Sequence, residues 1–124
     1  MTFPHARFRP LLAVLALGMT LLMASACGSS SAAPGASTVK EIAVTIAGKT
    51  VTPPPGRVEV AKGQTVRITV TGDVTDVAHV HGYDKAADLK PGTPATIEFV
   101  ADQDGLFEVE THETGLQLCQ LVVS

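Results

Sequence analysis

The sequence predicts an all-β sandwich or barrel of about seven short, mainly antiparallel strands. Three observations carry this reading. Apolar residues recur at every second position from Val39 onward, the period of a strand with one buried face. Turn-forming residues separate the runs at intervals of 8–15 residues, at Gly48, Pro53–Gly56, Lys62–Gly63, Gly72–Asp73, Pro91–Gly92, Asp104–Gly105 and Gly115. No stretch after residue 38 shows a long helical period. Short strands between regular turns build sandwiches and barrels.

The strands follow in order. Ile42, Val44 and Ile46 alternate with smaller or polar residues, and Val58 and Val60 follow the proline-rich turn. Val66, Ile68 and Val70 alternate with Thr65, Arg67, Thr69 and Thr71. In the segment Val77-Ala78-His79-Val80-His81-Gly82-Tyr83-Asp84, His79 and His81 share a row with Val77 and Tyr83, and this row is expected to face the core. Asp84–Leu89 reads as one short turn of helix. Ala95, Ile97 and Phe99, then Phe107 and Val109, repeat the alternation with glutamates opposite. The run Leu116–Val123 closes the chain as an apolar strand. Tyr83, Phe99 and Phe107 are expected core aromatics, Asp102–Asp104 a turn, and Pro53–Pro55 a stiff corner.

The N-terminal segment differs in composition. Arg7 and Arg9 precede a mostly apolar run, Leu11 to Met23, followed by Ala24, Ser25, Ala26 and Cys27. A basic start, an apolar core and small residues before a cut site make an export signal. The run falls short of the roughly 20 residues of a comfortable membrane span. The stretch resembles a bacterial lipoprotein signal, in which the cysteine after the cut is lipidated; Ala24 stands where leucine is usual. The resemblance implies a signal peptide at 1–26 and a palmitate-type anchor on Cys27. It places the protein outside the cytoplasm, held to the cell-envelope membrane in the periplasm or on the outer face of the cytoplasmic membrane. Plain cleavage near Ala26, giving a soluble secreted protein, is the alternative. Residues 27–38 are rich in Gly, Ser, Ala and Pro and read as a tether whose average reach is roughly 17–20 Å. Residues 39–124 form the domain.

Charge and composition exclude several functions. Residues 27–124 hold 7 basic and 12 acidic side chains, a net charge of −5, which argues against nucleic acid as a partner because phosphate contacts need Lys and Arg. With Cys27 lipidated, Cys119 is the one remaining thiol, so no internal disulfide forms. Cys119 reads as a small core residue. No hydrolase-type nucleophile context accompanies it, and the chain is not expected to be an enzyme.

The histidines carry the chemistry. The domain has three, His79, His81 and His112, in two clusters, and Glu110 and Glu113 flank His112. If the two strand ends meet at one pole of the sandwich, three imidazoles converge, a donor set that suits copper, zinc, nickel or iron. Glu110 or Glu113 would then add an oxygen ligand or orient a ring. The alternative is that His79 and His81 are core residues bonded to backbone and His112 is a loop residue.

From Lys62–Thr71 through Asp73–Asp84 to the Gly105–Val123 ending, the chain resembles the cupredoxins, in particular the small cupredoxin-like domains of bacterial envelope proteins, including the type attached to an iron-uptake component. The resemblance spans Ile42 to Val123 and implies a Greek-key β-sandwich. His79, with Tyr83 and Asp84 downstream, matches the family's first copper ligand. Gly105-Leu106-Phe107-Glu108-Val109-Glu110-Thr111 matches the approach to its copper-binding cysteine, but Thr111 occupies the cysteine position. All three methionines, Met1, Met19 and Met23, precede Cys27, so the axial methionine is missing as well. A blue-copper centre needs that cysteine.

The resulting expectation is a divalent metal, copper first and zinc second, held by His79, His81 and His112 in envelope copper handling. The partners would be the membrane, through Cys27, and an envelope transporter or metal-handling protein. The alternative is a metal-free module of the same fold that contacts such a transporter.

Overall fold

A computed structural model describes residues 38–124. The export signal, Cys27 and nearly all of the tether lie outside these residues. Among the described residues, nine strands form two sheets. In chain order they are β1 (Lys40–Ala47), β2 (Thr50–Thr52), β3 (Arg57–Val60), β4 (Thr65–Thr71), β5 (Asp76–Val80), β6 (Lys85–Leu89), β7 (Ala95–Val100), β8 (Gly105–Thr111) and β9 (Gln117–Val123). One sheet has the order β2-β1-β4-β7 and the other β3-β9-β8-β5-β6. Both are mixed: β1 runs parallel to β4 and β3 parallel to β9, and the other pairs are antiparallel.

The alternation seen in the sequence makes the core. Val44 and Ile46 of β1 and Val66, Ile68 and Val70 of β4 are buried from one sheet. Ala78, Val80, Val109, Leu121 and Val123 meet them from the other. Each of the larger side chains, taken from water, contributes about 1.5–3 kcal/mol. In β9 the register against β8 slips: Val109 faces Cys119, whereas Glu110 faces Gln117. Leu118 is the extra residue of a bulge, which explains why Leu118 and Cys119 are both buried in succession.

Three expectations are corrected. Asp84–Leu89 is not a helical turn, because Lys85–Leu89 pairs with β5 residue by residue, from Val80↔Lys85 to Asp76↔Leu89. The β2 strand adds a further element, so there are nine strands rather than about seven. The core row of β5 is Ala78 and Val80, both fully buried, and not the row of Val77 and His79. His79 therefore stands on the outer face of the five-stranded sheet.

Candidate functional site

The antiparallel register of β5 and β8 sets the site. His79 lies directly across from Glu110, with Ala78↔Thr111 and Val80↔Val109 on the inner face. Just beyond the paired segment, the His112 N–H donates to the Val77 carbonyl at 2.9 Å, and the His81 N–H donates to the Glu108 carbonyl at 2.9 Å. His81 and His112 thus leave opposite ends of the β5/β8 ladder. The expected meeting of strand ends at one pole does not occur. His112 meets His79 as a ladder diagonal, since side chains at i and j±2 on one face lie within reach of long groups, and His81 meets His79 as its i+2 neighbour along the chain. The His79 ring centroid is 4.6 Å from that of His81 and 5.0 Å from that of His112, both edge to face.

Carboxylates surround this row. His81 Nε2 lies 2.7 Å from Glu110 Oε1, with the ring nitrogen donating. His79 Nε2 lies 3.5 Å from Asp84 Oδ1. Glu113 is exposed and engages the fold through its backbone N–H, which donates to Asp76. His79 is more enclosed than His81, with a side chain 17% exposed against 48%. Its Nδ1 is buried without a hydrogen-bond partner, the one such side-chain atom among the described residues. An orphaned buried polar atom in a native fold calls for a cause.

Each neighbouring pair of rings is spaced as two imidazoles on one ion would be. With metal–nitrogen bonds of about 2.0–2.1 Å, two imidazoles on one ion at about 90–110° hold their centroids about 4.5–5.2 Å apart. The observed 4.6 and 5.0 Å fall in that interval. The nitrogens themselves are not aimed at a common point: among the described residues, no three His, Cys, Asp or Glu groups form a ready cage. Binding therefore requires the rings to turn, and His81 to leave Glu110 or share it.

The turn that joins β5 to β6 fixes His81 and Asp84. Gly82 adopts φ +84°, and a Cβ there would stand 2.6 Å from Phe107 Cδ1. Asp84 also takes a positive φ, 57°, a conformation that aspartate tolerates better than most residues. Between them Tyr83 packs on Phe99 and Phe107, at centroid distances of 4.6 and 4.5 Å. Its hydroxyl donates to the Gln103 carbonyl at 2.8 Å and accepts from the Gln103 N–H at 3.1 Å. These rings act as packing aromatics.

Thr111 is 1% exposed, on the inner face of β8. Its hydroxyl lies 2.7 Å from Thr114 Oγ1 and accepts from the Leu116 N–H at 2.9 Å. It is a structural hydroxyl. Cys119 pairs with Val109 on the inner side of the same sheet, so the sheet separates its thiol from the histidines. Burial pushes that thiol up to about 11, so it stays protonated and unreactive. It borders a mainly apolar, half-open cleft of about 170 Å³, lined also by Ile42, Val44, Val58, Leu118 and the exposed Pro53 and Pro54.

Two acids of the site do not stand out in the sequence as site residues. Asp84 approaches His79 across a four-residue turn, and its place five residues after His79 is the signal available. Asp76, 3% exposed, reads in sequence as an ordinary residue before a strand.

The chain matches no protein-family model and no curated protein. Its fold matches many solved structures. A heme-copper terminal oxidase dimer aligns with TM-score 0.56 and 20% identity over 68% of this chain and 65% of that one. A blue copper oxidase from Nitrosomonas europaea aligns with TM-score 0.55 and 14% identity over 70% of this chain and 44% of that one. A copper binding protein solved by NMR in its apo form aligns with TM-score 0.56 and 20% identity, over 69% of this chain and 88% of that one. The chain thus spans less than two thirds of either oxidase chain. At these identities the likeness establishes the fold, a cupredoxin-like β-sandwich.

Proposed function

We propose that the chain is an exported, lipid-anchored cupredoxin-like protein that binds one divalent metal through His79, His81 and His112 in envelope copper handling. The observation that carries this is the buried, unpartnered Nδ1 of His79, flanked by two imidazoles each at a distance that suits a pair of ligands on one ion. Nitrogen and oxygen donors without thiolate favour copper(II), which heads the divalent affinity order, with zinc(II) next. Glu110 and Asp84 supply nearby negative charge, as an oxygen ligand or as acceptors that orient the rings. The blue copper oxidase and the copper binding protein that share the fold support copper as the metal. The role is binding rather than catalysis. The lipoprotein-like signal supports tethering through Cys27, and a transporter or metal-handling protein of the envelope is the partner class.

A metal-free accessory module is the second reading. The 2.7 Å contact of His81 with Glu110 favours it, because that nitrogen already has a partner. Equilibrium dialysis of residues 28–124 against copper(II) and zinc(II) separates the two. One equivalent is expected to bind at neutral pH, to weaken in acid as protons compete for the ring nitrogens, and to be lost in His79→Ala. Absence of binding in the unaltered protein would overturn the metal reading.

A further inference from the structure

The turn that carries His112 hangs on one buried carboxylate. Asp76 opens β5 on the inner side of the sheet and is 3% exposed. Its Oδ1 accepts from the N–H of Val77 at 2.7 Å and of Glu113 at 2.8 Å. Its Oδ2 accepts from the N–H of Thr114 at 3.1 Å and from the Thr114 hydroxyl at 2.6 Å. Burial pushes the carboxyl up, and the hydrogen bonds from the Thr114 hydroxyl and from the N–H groups of Glu113, Val77 and Thr114 outweigh it, leaving the group below its ordinary value.

An ionised carboxylate only accepts, and this fixes the direction of a relay. The Thr114 hydroxyl donates its hydrogen bond to Asp76, so it accepts from the Thr111 hydroxyl, which in turn accepts from the Leu116 N–H. The backbone closes the same turn: Thr111 N–H bonds to Leu116 O at 2.9 Å and Gly115 N–H to Thr111 O at 3.1 Å. His112 belongs to this turn; its side chain is exposed, and its ring centroid lies 5.0 Å from that of His79.

We propose that Asp76 is the positioning residue of the histidine site. It holds the 112–116 turn from beneath and thereby sets the His112 ring against His79. Both carboxylate oxygens accept twice, so Asp76→Asn fails in either orientation: its NH2 faces donors whichever way the amide is turned. The effect on metal affinity rests on the reading under Proposed function; the effect on ring placement does not.

The test uses residues 28–124, which contain the whole described sandwich. In the metal-free protein, NMR contacts between the ring protons of His79 and His112 are expected to vanish in Asp76→Asn, while those between Tyr83 and Phe107 remain. Thr114→Val, which removes one donor and leaves the carboxylate in place, is expected to weaken the same contacts and serves if Asp76→Asn does not fold. Copper(II) affinity is expected to fall about 10–100-fold in Asp76→Asn. The double variant Asp76→Asn/His112→Ala is expected to bind no more weakly than His112→Ala alone, because the two act through one ring. Persistence of the His79–His112 contacts in both Asp76→Asn and Thr114→Val, or losses that multiply in the double variant, would overturn the proposal. If the unaltered protein binds no copper, the metal reading fails, and the ring contacts alone decide the role of Asp76.

Discussion

Replacing Gly82 with alanine is expected to cost about 2–5 kcal/mol of folding stability, the sum of two effects. A left-handed backbone with a Cβ costs about 1–2 kcal/mol, and Gly82 has φ +84°. Forcing a methyl into a packed site costs a further 1–3 kcal/mol or so, and the new Cβ would lie 2.6 and 2.8 Å from two atoms of the Phe107 ring. That ring cannot swing aside freely, because Tyr83 packs on it at 4.5 Å. For a domain of this size, each kcal/mol moves the thermal midpoint by about 4–8 °C, so the loss is roughly 8–40 °C. Gly48→Ala is the comparison. Gly48 has φ +61°, and a methyl added there would meet nothing within 4 Å, so only the backbone cost of about 1–2 kcal/mol applies. Equal losses in the two variants would mean that the Phe107 contact carries no weight. The consequence reaches the site, because the Gly82 turn presents His81 and Asp84 to His79.

Saturation with copper(II) or zinc(II) is expected to raise stability by about 4 kcal/mol when free metal exceeds its dissociation constant a thousandfold. The midpoint would rise by roughly 15–30 °C. An ion that binds the folded chain and not the unfolded one stabilises by mass action; loose binding to histidines in the unfolded chain trims the effect. His79→Ala is expected to abolish the shift, since His79 stands between the other two rings. Magnesium should give none, because it prefers an octahedron of oxygens. An equal shift in the unaltered protein and in His79→Ala, read by scanning calorimetry, would place the ion elsewhere.

How far the site is legible in the sequence follows from which forces act locally. The β4 and β7 strands are plain because Val66, Ile68, Val70, Ile97 and Phe99 alternate cleanly with Thr, Arg and Glu. The β6 strand is not: Lys85-Ala86-Ala87-Asp88-Leu89 contains good helix formers, and its pairing with β5 overrides them. Three-residue β2, between Gly48 and Pro53, is too short to show a period. In β5 both rows, Val77/His79 and Ala78/Val80, are partly apolar. Tertiary register decides between them, by setting Val80 opposite Val109 and Ala78 opposite Thr111. The approach of His112 to His79 likewise depends on which strand lies beside β5, which no local pattern records. Asp76 is hidden for the same reason, since its partners lie 37 and 38 residues away.

The proposed site sets three imidazoles on one ion. Electron paramagnetic resonance of residues 28–124 with one equivalent of copper(II), using 15N-labelled histidine, tests it most directly. The expected spectrum is a tetragonal copper(II) signal coupled to three imidazole nitrogens, reduced to two in His112→Ala and replaced by unbound copper in His79→Ala. A signal with the same nitrogen count in His79→Ala, or a spectrum of free copper in the unaltered protein, would contradict it.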